Sequence, residues 1–88
     1  MRFIVYRQEF VAGERTTPMR DGWFASEDEG RARRKQKELF ELERTRYQRR
    51  YGTVETATEG GTLIVRALEQ GRFVEVGLID ELCQRHAS

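Results

Sequence analysis

The sequence predicts an α+β protein in which one long helix backs an antiparallel sheet of four to five strands. Three observations predict it. The tetrapeptide Ser26–Glu29 fits a helix-capping box and opens a run of good helix formers that continues to Arg50. Segments rich in β-branched and aromatic residues flank this run on both sides, and glycine-containing turns divide the later ones. The predicted order is β(β)αβββ, in a single domain that spans residues 1–88.

The N-terminal segment predicts one strand and a second, shorter one. Residues Arg2–Val11 are rich in β-branched and aromatic side chains, which is typical of a strand. Ala12–Asp21 contains Gly13, Pro18 and several polar residues, so it predicts a loop. Gly22–Ala25 then closes the hairpin as the short second strand.

The helix is predicted from Glu27 to Tyr51. Ser26 is expected to cap its first turn together with Glu29, and Gly52 stands where a C-terminal cap is expected. One arc of the helical wheel forms the predicted core face: Ala32, Gln36, Leu39, Phe40 and Tyr47. This arc is thin, so the sheet must supply most of the apolar area.

The C-terminal part predicts an antiparallel meander. Three strands are expected, over Thr53–Glu59, Thr62–Leu68 and Arg72–Leu78. Gly60-Gly61 is a suitable two-residue turn between the first two of them. The last expectation is a final helical turn or a short helix over Ile79–His86, anchored by Leu82.

The basic residues are concentrated in the predicted helix. Nine of the sixteen Lys and Arg residues lie between Arg31 and Arg50, with three acids, which gives this segment a net charge of +6. The remaining seven basic and twelve acidic residues give the rest of the chain −5, so the total of +1 hides a strong local field. Fourteen of the sixteen basic residues are Arg, which suits bidentate contacts to phosphate or carboxylate.

Two interpretations of this helix stay open. In the first, its charges are matched internally by the i,i+4 pairs Glu27–Arg31, Glu29–Arg33, Arg34–Glu38 and Lys37–Glu41. In the second, surplus cations form a docking surface for a phosphate backbone or an acidic protein face. The predicted partner-binding residues are Arg33, Lys35, Lys37, Arg44, Arg46, Arg49, Arg50 and Tyr51. Tyr51 and Tyr47 either stack on a partner or close one end of the core.

Catalytic and metal chemistry find little support in the sequence. Cys83 and His86 form a C-x-x-H pair, but the sequence has no other Cys or His to complete a zinc site. No nucleophile-elbow, P-loop or H-E-x-x-H motif occurs. The acids Glu27, Asp28 and Glu29 are explained by helix capping. The sequence therefore predicts a non-enzymatic protein without a metal or cofactor.

The sequence also predicts where the protein acts. Its longest apolar runs are a few residues, far below the roughly 20 needed to span a bilayer. The N-terminus lacks the apolar stretch of a signal peptide, and the single cysteine is unlike the even sets of secreted domains. These features predict a cytoplasmic protein without a membrane partner.

The layout of the chain resembles that of small phage-encoded type I anti-CRISPR proteins. The resemblance rests on the strand that starts at Met1, the helix start at Ser26–Glu29, the run Gly52–Glu55, the Gly60-Gly61 hairpin and the closing segment Glu69–Val74. It implies a non-enzymatic inhibitor that docks on the Cas proteins of a surveillance complex. Many such inhibitors are acidic DNA mimics. The +6 helix departs from that pattern and favours an acidic protein patch or nucleic acid as its target.

Two functions follow as hypotheses. The first is a phage or mobile-element inhibitor that binds a CRISPR–Cas surveillance complex, a host ribonucleoprotein, and interferes with recognition of target nucleic acid. The second is a small DNA- or RNA-binding accessory protein that contacts the nucleic-acid backbone through its basic helix.

Overall fold

One helix lies across one face of a five-stranded antiparallel sheet. The structure, a computed structural model, describes residues 2–13 and 19–80. Its elements are β1 (Phe3–Val11), β2 (Asp21–Ser26), α1 (Glu29–Tyr51), β3 (Val54–Glu59), β4 (Thr62–Ala67) and β5 (Arg72–Asp80). The strands lie in the order β2-β1-β5-β4-β3. This arrangement confirms the predicted α+β fold with five strands and one long helix.

The end of β5 corrects the predicted C-terminal helix. Ile79 and Asp80 belong to β5, where they pair with Ile4 and Phe3 of β1. The prediction of a helix that begins at Ile79 is therefore wrong for these two residues, because β1 offers them a full set of ladder partners. The remainder of the predicted helix, including Leu82, lies outside the described residues.

The start of α1 corrects the predicted cap. The helix begins at Glu29, and its N-cap is Asp28, whose carboxylate accepts a hydrogen bond from the Arg31 backbone N–H at 3.1 Å. Ser26 still pairs with Phe3 in the sheet, and its hydroxyl accepts from the Asp28 N–H at 3.1 Å. Because the chain must leave β2 before it can turn into the helix, the cap falls two residues later than the capping box suggests.

The turn between β3 and β4 is the predicted glycine turn. Gly60 and Gly61 have φ angles of +55° and +83°. Both values lie in the left-handed region that a type I′ hairpin turn requires at its two central residues, and glycine enters that region without steric cost. The turn fixes the β3–β4 register, in which Glu59 pairs with Thr62.

The core lies between α1 and the sheet in two clusters that both contact Phe40. The cluster near the helix start contains Val5, Ala32, Leu39 and Val76, and the cluster near the helix end contains Tyr47, Val65, Ala67 and Val74. The predicted core face of the helix is confirmed. One buried helical residue was absent from it, the acid Glu43, which is 2% exposed.

The opposite face of the sheet carries a close contact between β1 and β5. Tyr6 pairs with Gly77, and the Tyr6 ring lies directly over the Gly77 Cα. Tyr6 is buried although it faces away from the helix. Gly77 therefore provides the space that this ring occupies.

Replacing Gly77 with alanine should destabilise the protein. The added methyl group would overlap the Tyr6 ring, and overpacking of this kind costs about 1–3 kcal/mol. Urea denaturation would measure the loss. A second change, Tyr6→Val, should reduce the cost of Gly77→Ala because it removes the overlapping ring. Additive costs of the two substitutions would contradict this explanation.

Candidate docking surface on helix α1

The exposed cations of α1 lie in two rows, one on each flank of the buried face. The β2-side row contains Arg31, Lys35, Leu42, Arg46 and Arg49, which recur at spacings of three, four and seven residues. The hairpin-side row contains Arg33, Lys37 and Arg44. Arg34 lies on the outer ridge between the rows, and Arg50 lies in the last turn.

Phe24 and Gly61 identify the two sides. Arg31 and Lys35 lie over the Phe24 ring of β2, at 5.6 and 5.5 Å from its centroid. Arg33 lies on the other side, and its guanidinium is next to Gly61 in the β3–β4 turn. The two rows thus face opposite edges of the sheet.

Four of the nine helical cations form ion pairs with acids of α1 itself. The pairs are Arg33–Glu29 at 3.5 Å, Lys35–Glu38 at 3.2 Å, Arg44–Glu41 at 2.6 Å and Arg46–Glu43 at 3.6 Å. Of the four pairs predicted from i,i+4 spacing, Glu29–Arg33 is the one that the structure forms. Three of the observed pairs use i,i+3 spacing instead, because the long side chains reach either neighbour on the helix surface.

Five helical cations have no ion-pair partner among the described residues. They are Arg31, Arg34, Lys37, Arg49 and Arg50. Arg31 contacts Phe24, and Arg50 lies 5.6 Å from the Tyr51 ring centroid, so each has an aromatic neighbour but no anion. The carboxylates of the described strands do not neutralise the helix.

The ion pair between Arg7 and Glu43 joins the sheet to the helix, with the cation on the sheet and the acid on α1. Arg7 of β1 donates a hydrogen bond from Nε to Glu43 Oε1 at 2.8 Å. The other oxygen of Glu43, Oε2, is buried and has no hydrogen-bond partner among the described residues. A strand cation therefore neutralises a helical acid, which leaves α1 with a larger exposed surplus than its sequence indicates.

Two tyrosines complete the polar contacts beneath α1. The Tyr47 hydroxyl donates to Glu9 Oε2 at 2.8 Å, and Arg72 donates to the Tyr51 hydroxyl. Burial, together with the hydrogen bond to Glu9, raises the pKa of Tyr47 above its usual range. The hydrogen bond to Tyr51 raises the pKa of Arg72. These contacts hold the last two turns of the helix on β1 and β5.

The raised pKa of Tyr47 predicts a loss of stability at alkaline pH. In the folded protein the neutral phenol is favoured, so its contribution is complete below about pH 10, the pKa of an unfolded tyrosine, and declines above it. The free energy of unfolding should therefore be lower at pH 11 than at pH 9 because of this group. Urea denaturation at both pH values should show a smaller decline for Tyr47→Phe, and an equal decline would refute the assignment.

Leu42 is an exposed apolar residue within the β2-side row. It is 54% exposed, and together with Thr45, Arg46 and Arg49 it lines an open hollow on the helix surface. Trp23 lies near the other end of this row, since its ring centroid is 6.5 Å from that of Phe24. It is the extra residue of a β-bulge between β1 and β2 and is 40% exposed.

The structure brings together some of the residues predicted from sequence. Lys35, Arg46 and Arg49 share the β2-side row, whereas Arg33, Lys37 and Arg44 form the hairpin-side row. Tyr51 is half-buried against the Tyr47 cluster and bonded to Arg72, so it is placed as a residue that closes the core. Two residues of the β2-side row, Arg31 and Leu42, were not predicted as contacts. The seven-residue spacing of Lys35, Leu42 and Arg49 is the signal that could have found Leu42.

The remaining sequence predictions concern other chemistry. Cys83 and His86 lie outside the described residues. In the described ranges, no helix is both long and apolar enough to cross a membrane.

No protein-family model, curated protein or solved structure matches this chain.

Proposed function

We propose that this chain is a non-enzymatic binding protein that uses α1 to dock on an anionic macromolecular surface. The observation that carries the proposal is the set of five helical cations that no described carboxylate matches. Cations that the fold itself does not neutralise raise the local concentration of an anionic partner and steer its approach.

The paired cations support the same function. Glu29, Glu38 and Glu41 are exposed, and their partners are partly exposed. Ion pairs of this exposed kind contribute about 0–1 kcal/mol each. An anionic partner can therefore take over these cations at little cost, and the available surface includes Arg33, Lys35 and Arg44.

We propose an inhibitor of a nucleic-acid-targeting complex as the first form of this function. In this proposal a phage or mobile-element protein docks on the Cas proteins of a surveillance complex and interferes with target recognition. The support is the layout resemblance together with an exposed basic helix. The immobilised protein should retain purified type I surveillance complexes and lower their binding to target DNA. If no complex of such a panel is retained, this form of the proposal fails.

A DNA- or RNA-binding accessory protein is the second candidate. Its specific support is that the unmatched cations are mostly Arg, which pairs well with phosphate oxygens. An electrophoretic shift with random duplex DNA should then be tight at low salt and fall steeply as salt rises. Absent or salt-independent binding would rule out this candidate.

The central experiment removes the unmatched cations. A triple variant with Arg31→Glu, Arg34→Glu and Arg49→Glu breaks no ion pair among the described residues, so it should keep its far-UV circular dichroism spectrum. It should lose binding to the surveillance complex and to DNA, whichever the wild type binds. Wild-type affinity in a folded triple variant would remove α1 from the function.

A further inference from the structure

We propose that the β2-side row is the docking site for an acidic amphipathic helix of a partner protein, rather than for nucleic acid. The proposal rests on the proposed function of α1 and names the chemistry of its partner. Such a helix would place carboxylates against the cations of the row and an apolar side chain against Leu42. The hairpin-side row is then not the main contact site on α1, and nucleic acid is not its main partner.

The two rows differ in how far their charges are already matched. On the hairpin side, Arg33 and Arg44 each have an exposed carboxylate of α1 as a partner, and Lys37 has none among the residues described. On the β2 side, Lys35 pairs with Glu38, whereas Arg31 and Arg49 have no such partner among those residues. Arg46 reaches Glu43 at 3.6 Å, but Arg7 already holds the same oxygen at 2.8 Å. The unmet positive charge is therefore greater along the β2-side row.

The two rows also differ in apolar exposure. Leu42 lies in the middle of the β2-side row, whereas the three residues of the hairpin-side row are all cations. Leu42 shares its hollow with Arg46 and Arg49. An exposed apolar side chain beside Arg is typical of a protein interface, where aromatic or aliphatic anchors are buried inside a polar rim. A phosphate backbone offers Leu42 no apolar partner, so the row fits protein better than DNA or RNA.

The length of the row suits a helical partner. Residues 31 and 49 are separated by 18 positions, which corresponds to about 27 Å along the helix axis. Lys35, Leu42 and Arg49 are seven residues apart, the spacing at which a packed partner helix repeats its own contacts. The contacts beneath α1 hold the row in place on the sheet, since Gln36 donates to the backbone oxygens of Gly61 and Val76 at 2.8 and 2.9 Å.

Defined peptides test the proposal directly. The first probe is a fluorescein-labelled peptide of glutamate and leucine, about 18 residues long to match the row, with its leucines on one helical face. The others are a permutation of the same composition with scattered leucines, a polyglutamate of equal length and a short random duplex DNA. At physiological ionic strength the amphipathic peptide should bind at least about tenfold more tightly than each of the others.

A matched pair of leucine variants distinguishes binding at the β2-side row from nonspecific hydrophobic binding. Leu68, in the β4–β5 turn, is 52% exposed and so nearly equal in exposure to Leu42. Leu42→Ser should weaken binding of the amphipathic peptide by about tenfold or more, as expected for a central anchor. Leu68→Ser should leave that affinity unchanged. Equal effects of the two substitutions, or no effect of Leu42→Ser, would overturn the proposal.

The probes also distinguish this proposal from the proposed function. If duplex DNA binds most tightly and the Arg31→Glu, Arg34→Glu, Arg49→Glu variant loses that binding, α1 is a docking surface but the amphipathic-helix partner is wrong. If the permuted peptide binds as well as the amphipathic one, the same conclusion follows. If none of the four probes binds, the row does not recognise acidic amphipathic helices, and the pull-down above decides the proposed function separately.

Discussion

Replacing Arg7 with methionine should lower the free energy of unfolding by about 3 kcal/mol. Methionine keeps much of the volume of Arg7 but removes the cation that bonds to Glu43. Glu43 is buried. Within the described part of the chain, one of its oxygens has no hydrogen-bond partner, and its other ion pair is with Arg46 at 3.6 Å. A buried carboxylate that has lost its partner cation strongly destabilises a small domain. Chemical denaturation at neutral pH would measure the loss.

The matched controls for Arg7→Met are Glu43→Leu and the double variant. Arg7 is partly exposed and also lies near Glu9 at 3.5 Å and Asp21 at 3.7 Å, so Glu43→Leu should cost less than Arg7→Met. The double variant should be more stable than Arg7→Met alone, because it removes the stranded carboxylate. If Glu43→Leu proved the more damaging single change, Glu43 would be important mainly for packing and not as the partner of Arg7.

The second large effect concerns which flank of α1 binds. A variant with Arg31→Glu and Arg49→Glu reverses the two cations of the β2-side row that have no ion pair within the described part of the chain. It should weaken binding of the amphipathic glutamate–leucine peptide by well over tenfold, because each change replaces an attraction with a repulsion. Fluorescence anisotropy at physiological ionic strength would measure the affinity.

The control is a variant with Arg34→Glu and Lys37→Glu. It has the same change in net charge, lies on the same helix and likewise breaks no ion pair among the described residues. It should lower the affinity by less than about threefold, as expected for long-range electrostatics that salt screens. Equal losses in both double variants would mean that the partner senses the overall charge of α1 and not the β2-side row.

Much of the fold could be predicted from the sequence because local patterns and tertiary structure agree. The β-branched and aromatic residues of β1, the Gly60-Gly61 turn and the helical run to Tyr51 each predicted the element that the structure contains. The helix cap was predicted less accurately, since the capping box indicated Ser26 whereas the N-cap is Asp28. The choice depends on how far β2 pairs with β1, which is a tertiary property.

Glu43 shows why the inside of the fold was harder to predict. It lies on the apolar arc of the helical wheel, yet an acid is usually assigned to the surface. Its burial depends on Arg7, which lies 36 positions earlier in the chain and faces the helix from β1. A single sequence does not reveal a pair of that separation, so Glu43 was counted among the acids that neutralise the helix.

The distribution of cations behind the proposed docking surface was predicted in outline but not in detail. Concentration of cations in one helix is visible in the sequence, and it identifies α1. Which acid each helical cation contacts depends on how far its side chain extends along the helix surface. Three of the four predicted ion pairs therefore did not form. Leu42 was overlooked because a single leucine among charges is ordinary on a helix, and its exposure becomes evident when the position of the sheet is known.

A titration followed by nuclear magnetic resonance tests most directly whether α1 is the docking surface. The ¹⁵N-labelled protein would be titrated with the amphipathic peptide and, separately, with duplex DNA. For whichever probe binds, the largest shift changes should fall on Leu42, Thr45, Arg46 and Arg49. Changes confined to the opposite face of the sheet, around the stacked rings of Phe10 and Phe73, would show that the protein binds through another surface.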